Sequence, residues 1–405
     1  MGKLVPLRKK SNLPAAQKAR KRQAPAFTGT EEQLVRRRKP AKPLHMLNSA
    51  VIEETARHFI SFFPGKLIYA VKTNPHEAVI EALGKGGITG FDVASIEEAR
   101  LIRACAPKAE MYFMHPVKSP EAIKEAYYRL GIRHFVLDCE DELYKIVRET
   151  GLATDLKLHV RLALPKNNGA TIDFSSKFGA LPIEASSLLR KCRTVSETLG
   201  LSFHVGTQIS DASVFAQALE LARNVINESG AKIDILDVGG GFPVPYIGEN
   251  VPTIESCMSV IREGIRKTGL GHLELLAEPG RALVAKGGSL AARVELRKGN
   301  LLYLNDGTYG GLFDAGPLLG MRYPVRAVRS EGVFQGGTID FRLAGPTCDS
   351  LDMMEGPFAL PADIRMGDWI IFENTGAYSQ TMRTQFNGFG ECDTALLVPA
   401  RNTAS

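Results

Sequence analysis

From Pro43 onward, short apolar runs alternate with segments of helical spacing. The runs are Leu67–Val71, Phe91–Ala94, Met111–Met114, His134–Leu137, Leu156–Leu162, Leu201–Val205, Ile233–Val238 and Leu273–Ala277. They are rich in β-branched and aromatic residues, and each is short enough for a buried strand. Between them, Pro75–Gly84, Ile96–Cys105, Ser119–Leu130, Asp141–Thr150 and Ser213–Ser229 carry apolar residues at helical spacing. Strand followed by helix, repeated, predicts right-handed βαβ units and a parallel sheet. Eight units fit a (β/α)8 barrel of the TIM type better than a doubly wound open sheet. In a barrel, Lys72, Asp92, His204, Gly239 and Glu278 converge on one face, because each closes a different strand or lies just past it.

After Arg281 the rhythm changes to short β-runs punctuated by Gly and Pro: 291–296, 301–304, 323–328, 340–343, 368–373 and 394–398. The expected class is therefore α/β, a (β/α)8 barrel over residues 46–285 with a C-terminal all-β domain over 286–405. Residues 1–45 hold 13 Lys or Arg against Glu31 and Glu32, so a chain of net charge +6 has a mildly acidic body. The runs Arg8-Lys9-Lys10, Arg20-Lys21-Arg22 and Arg36-Arg37-Arg38-Lys39 read as a solvated, disordered extension, whose end could add a strand to the β domain. Nucleic acid and membrane are not expected partners.

Composition adds exclusions. With 44% hydrophobic and 23% charged residues in 405, the chain is ordinary globular material. No apolar run approaches the length that spans a bilayer, and the basic N-terminus has no apolar segment behind it. Cys105, Cys139, Cys192, Cys257, Cys348 and Cys392 form no CxxC pair, so reduced thiols in a cytoplasmic protein are expected rather than disulfides or a metal site.

Three segments carry chemistry. In Tyr69-Ala70-Val71-Lys72-Thr73-Asn74 a lysine closes an apolar strand. Alone, such a lysine reaches for solvent; in an apolar site it is an amine of depressed pKa that forms a Schiff base. Gly239-Gly240-Gly241 follows the seventh run, where barrels often bind phosphate; a flexible turn is the plainer alternative. Glu278-Pro279-Gly280-Arg281 follows the eighth: its glutamate reads as a base, a metal ligand or the partner of a protonated pyridine nitrogen and its arginine as a cation for a phosphate, with a Pro-Gly turn and an exposed ion pair as the plainer alternative. His204 and Thr207 share the rim, although a lone histidine is more often structural. Lysine, phosphate cradle and ring-nitrogen carboxylate together are what pyridoxal 5'-phosphate requires.

The ordered segments YAVKTN (69–74), GFDVAS (90–95), SFHVGT (202–207), LDVGGGFP (236–243), AEPGR (277–281), LNDGTYGG (304–311), GPTCDSLD (345–352), GDWIIFENTGAY (367–378) and FNGF (386–389) resemble the fold-type III, pyridoxal-phosphate-dependent decarboxylases of basic amino acids, in the ornithine/lysine decarboxylase group. The resemblance implies a carboxy-lyase in which Lys72 carries the cofactor, Glu278 pairs with its ring nitrogen and His204 stacks on its face. Thr207, Gly240, Gly241, Arg281 and Tyr378 are implied at the phosphate, Gly239 and Gly280 in the cofactor site, and Asp92 and Arg161 beside the cofactor. It further implies a homodimer with shared active sites, in which Cys348 returns a proton to the substrate carbon, Asp349 binds the distal ammonium and Phe386 flanks the substrate. Ornithine to putrescine, with lysine to cadaverine beside it, is the expected reaction, a step of polyamine biosynthesis.

Two departures matter. Thr207 stands where eukaryotic relatives carry serine, and 312–317 reads Leu-Phe-Asp-Ala-Gly-Pro where they carry Tyr-Asp-His. Asp314 is the candidate replacement for the second substrate-binding aspartate. Diaminopimelate and arginine decarboxylases share the fold, and the former usually carries Cys-Glu-Ser where this chain has Cys348-Asp349-Ser350. An inactive regulatory homologue is disfavoured by the retained Lys72, Glu278, Arg281, Cys348 and Asp349. An alanine-racemase-like enzyme would place arginine, not Glu278, at the ring nitrogen.

Overall fold

In the computed structural model, which describes residues 24–165, 170–172 and 177–398, eight parallel strands close into a barrel. They are Lys66–Ala70, Gly90–Val93, Glu110–Phe113, His134–Leu137, Lys157–Arg161, Thr198–Ser202, Ile235–Asp237 and Glu274–Ala277. Closure comes from the eighth strand pairing with the first, Leu276 opposite Lys66 and Ala277 opposite Leu67. All eight overlap the expected runs, and the closed order excludes the open sheet. The sixth begins earlier than expected, because Gly200 weakens the strand signal in Thr198-Leu199-Gly200. That glycine is required: a Cβ there would lie 2.5 Å from His159 Nδ1.

The helices behind the strands are built from capped amphipathic segments. Ile96–Cys105 starts at Ser95, whose hydroxyl accepts from the Glu98 amide, and carries Glu97 and Glu98 at its positive end. Three barrel helices went unread in the sequence, Pro182–Arg193, Ile254–Thr268 and Ser49–Phe62. The second buries Cys257, Met258, Ile261, Gly264 and Ile265 on one face. A cysteine and a glycine in that stripe blur its apolar period.

Inside the barrel, Ile68, Tyr112, Met114, Val136, Ile235 and Leu276 form an apolar plug. It leaves the carboxyl ends of the strands as the open face.

The second body is a nine-stranded sheet that draws on both ends of the chain. The end of the extension adds strands to it, as expected, but residues 24–45 are ordered rather than disordered. Ala26–Thr28 pairs in parallel with Asp393–Val398, and Leu44–Asn48 lies between Asp393–Val398 and Gly288–Lys298. Between them Glu31–Arg38 is a helix with a Thr30–Gln33 capping box. Its Leu34 and Val35 are fully buried in a cluster with Trp369 and Ile371. Arg36, Arg37 and Arg38 occupy the last turn, where cations suit the helix dipole, so the basic run hid an ordered element. The runs at 8–10 and 20–22 lie outside the described residues.

Met353–Pro361 is a further strand the sequence did not announce, because Gly356 and Pro357 read as a turn. Its partner Thr338–Ala344 shifts register between Phe341 and Leu343, opposite that dipeptide, and the irregularity accommodates the proline. No helix among the described residues is long and apolar enough to cross a membrane, and all six cysteines are free thiols.

Candidate active site

The first barrel strand ends at Ala70 and tightens into one turn, Val71–Thr73, which turns Lys72 into the barrel mouth. A cavity of about 230 Å³ opens there. Lys72 keeps 47% of its side-chain surface free toward it, and its Nζ lies 3.5 Å from Asp92 Oδ2. Asp92 closes the second strand and is buried. Burial pushes the Lys72 ammonium down, but Asp92, then Tyr378 and Glu278, outweigh it, and the net shift is upward. This corrects the expected apolar setting with a depressed pKa: the lysine stands among acids.

Those acids are Asp92, Asp237 and Glu278. Asp237 ends the seventh strand, fully buried, and its Oδ1 accepts from the Gly239 amide at 2.8 Å. Glu278 follows the eighth strand and is 8% exposed. Burial first, then Asp237 and Asp92, holds the Glu278 carboxyl well above the usual carboxylate range. Burial likewise raises Asp237. Such a cluster is stabilised by a further buried cation, and a protonated pyridine nitrogen is one.

Beside the acids the wall is backbone. Gly239 (φ +69°) and Gly241 (φ +98°) occupy left-handed conformations. At Gly240 a Cβ would meet Glu278 O at 2.7 Å and His204 Nε2 at 3.0 Å. At Gly280 it would meet Thr73 Oγ1 at 2.2 Å. Gly241 and Gly280 line the cavity with Thr207, Arg281 and Tyr378; Gly239 and Gly240 lie behind that lining and shape the turn. Arg281 is 5% exposed, donates from Nη1 to Tyr246 Oη at 3.0 Å and sits 5.0 Å from the Tyr378 ring centre. Its Nε is buried and has no acceptor among the described residues. A glycine-walled pocket with an unsatisfied guanidinium N–H is a site for an oxyanion.

Two flat groups complete the lining. The His204 ring accepts from the Gly206 amide at Nδ1 (3.1 Å), and burial, then Arg161 and Lys72, holds its pKa well below the usual value, so the imidazole is neutral. Arg161 ends the fifth strand, 5.5 Å from the Phe178 ring centre.

The structure separates the remaining candidates. Cys348, Asp349 and Phe386 do not line the cavity of their own chain. They form an exposed group on the β domain. Asn387 Oδ1 accepts from the Cys348 amide (3.1 Å) and thiol (3.2 Å). Tyr309 donates to Asp349 Oδ2 at 2.6 Å, and its ring lies 4.9 Å from that of Phe386. The Leu351 amide and Tyr309 hold the Asp349 carboxyl below its ordinary value, so it is an anion at neutral pH.

Asp314 is a correction. It is absent from the cavity lining and 3% exposed, with Oδ2 2.7 Å from Arg281 Nη1. The short turn Phe313–Ala315 buries it in the domain seam, where it cannot serve as an open anchor for a substrate amine. Asp237, Tyr246, Tyr309 and Asn387 lay unremarked in the sequence. Asp237, Tyr309 and Asn387 fall within the ordered segments quoted above, so the segments pointed at them. Nothing singled out Tyr246, or His115 and Phe178 of the cavity wall.

Comparison with known proteins agrees with this geometry. Residues 49–285 match the pyridoxal binding domain of pyridoxal-dependent decarboxylases. The chain is 32% identical over 339 residues to ornithine decarboxylase of Schizosaccharomyces pombe, covering 79% of this chain and 75% of that protein. Among solved structures, lysine/ornithine decarboxylase of Vibrio vulnificus complexed with putrescine superposes with a TM-score of 0.76 at 30% identity, covering 93% of this chain and 99% of that one. Arginine decarboxylase of Paramecium bursaria Chlorella virus bound to agmatine gives 0.78 at 26% identity, covering 90% and 98%. The chain belongs to the pyridoxal-dependent decarboxylases that act on basic amino acids. It is a carboxy-lyase, and pyridoxal 5'-phosphate is its cofactor.

Proposed function

We propose that the protein decarboxylates a linear diamino acid, L-ornithine to putrescine above all, with L-lysine to cadaverine beside it. The observation that carries this reading is the Asp349 carboxylate. It is anionic, half-buried, tethered by Tyr309 and adjacent to an exposed thiol, on a surface separate from its own chain's cavity. A fixed anion suits a terminal ammonium, and a second amino-acid head group would need a cation there instead.

When bound, pyridoxal 5'-phosphate supplies a sink for the electrons left as carbon dioxide departs. Lys72 holds the cofactor. Glu278, with Asp237 behind it, keeps the ring nitrogen protonated, and His204 covers the ring face. Thr207, the turn Gly239–Gly241, Gly280, Arg281 and Tyr378 hold the phosphate; Asp92 and Arg161 flank the ring. Cys348 returns the proton to the α-carbon, Asp349 anchors the far amine and Phe386 walls the aliphatic chain, all three from the second subunit of a homodimer. Asn387 keeps the thiol in position for that transfer.

The test is a product assay with ornithine, lysine, arginine and diaminopimelate. Ornithine should give the highest kcat/KM, with lysine measurable, since one methylene changes discrimination by only about 1–3 kcal/mol. Asp349→Ala should raise KM for both diamino acids and leave cofactor absorbance unchanged. Unchanged kinetics in that variant would transfer the assignment to diaminopimelate or a carboxylated polyamine. Arginine as the best substrate would make the distal group a guanidinium, which the same carboxylate can hold.

A further inference from the structure

Asp314 has no part in the reading above, yet it is the carboxylate in direct contact with the cavity's guanidinium. The ion pair joins the β domain to the barrel and is dry, its side chains 5% and 4% exposed. Arg281 is further fixed by Tyr246 and by the Tyr378 ring, and Tyr246 is itself tied to Asn374 O at 3.3 Å. Nη1 thus faces a carboxylate by charge while its hydrogen bond goes to Tyr246, and the buried Nε and Asp314 Oδ2 both lack a hydrogen-bond partner among the described residues.

Two consequences pull in opposite directions. In cofactor-free protein a buried guanidinium without a counter-ion is strongly destabilising, so Asp314 stabilises that state. Once a phosphate reaches the same guanidinium, it faces a carboxylate on the other side. Like charges in a dry corner repel, so Asp314 stabilises the loaded state less. By reciprocity the difference is a penalty on phosphate binding.

We infer that Asp314 is the resident counter-ion of Arg281: it holds the arginine in place before the cofactor arrives and limits the affinity for the cofactor phosphate. The inference rests on the assignment of Arg281 to the phosphate. Asp314 acts only through Arg281, as a positioning residue. Because it belongs to the β domain, that domain sets the affinity of a cofactor carried by the barrel, and the cofactor can leave without exposing an unpaired buried cation.

The experiment compares full-length apoprotein binding to pyridoxal 5'-phosphate and to pyridoxal, which lacks the phosphate, by equilibrium dialysis. Asp314→Asn keeps the size and an oxygen for Arg281 Nη1 and removes only the charge. It should increase the preference for the phosphorylated form at least about fivefold, the lower end of ordinary coupling, with pyridoxal affinity unmoved. The melting temperature of the cofactor-free variant should fall more than that of the loaded variant; recovery of folded variant only with cofactor present would be the same asymmetry. Asp314→Glu, which keeps the charge, should keep the wild-type preference. A preference that stays constant or falls on Asp314→Asn overturns the inference. So does an equal drop in both melting temperatures, which would mean a structural contact. A raised KM for ornithine at unchanged preference would restore Asp314 as a substrate anchor and overturn it too. Arg281→Met should erase the preference; if it does not, the phosphate assignment itself fails, whatever Asp314 does.

Discussion

In the proposed reaction Lys72 and Glu278 set the chemistry, and their surroundings say how. An ammonium beside Asp92 and Glu278 is held charged until a second cation shares those acids. Borohydride reduction of the loaded protein should therefore label Lys72, and Lys72→Ala should remove the label; a peptide map with the adduct on another lysine would refute the assignment. Glu278→Gln keeps shape and loses charge. It should lower kcat by about 10²–10³, the cost typical of losing one charge-stabilising partner, with a much smaller change in cofactor affinity. Equal turnover would remove Glu278 from the ring nitrogen. Both residues were legible in the sequence because each follows a strand run at the face where barrel strands converge. Asp314 was misread because an acid's role is set by what the fold puts beside it, and Arg281 lies 33 positions earlier in the chain.

At the scale of elements, legibility followed periodicity. The barrel strands are mostly apolar and announced themselves. Glu31–Arg38 did not, since its buried face is only Leu34 and Val35 within a basic run. The strand Leu44–Asn48 carries a further consequence. It lies inside the β sheet, and its His45 is 1% exposed. Burial lowers the His45 pKa from 6.5 to about 4. The folded protein then binds fewer protons than the unfolded chain in that interval. Stability is accordingly full above pH 6.5 and declines as pH falls toward 4. For this one group the loss is about 2 kcal/mol at pH 5. Urea midpoints at pH 7.5 and 5.0 should show it, and His45→Leu should flatten the difference by that share. A wild-type midpoint independent of pH would contradict the burial argument.

At the scale of the molecule, the sequence showed two bodies but not how they meet. The seam is built from backbone and side-chain contacts between distant segments: Asn74 to Gly376 O at 2.8 Å, and the Tyr378 amide to Thr73 O at 2.9 Å. Spacing along a chain does not encode such contacts. The seam puts Tyr378 into the barrel's cavity and leaves the exposed Cys348 and the half-buried Asp349 outside it. Under the proposed function the Cys348 thiol returns a proton to the substrate carbon, and a second copy of the chain would bring it there. In an isologous dimer each subunit then gives its Cys348 to the other's cavity. Lys72→Ala and Cys348→Ala chains, each nearly inactive alone, should recover activity when mixed and allowed to exchange subunits. Random exchange makes half of the dimers mixed, each with one site holding both residues, so recovery should approach about one quarter of wild type. Activity should rise at the rate of subunit exchange, and mixing without exchange should give none. Verified mixed dimers with no recovery would place Cys348 in its own chain's site and demand a movement of the β domain large enough to carry it there.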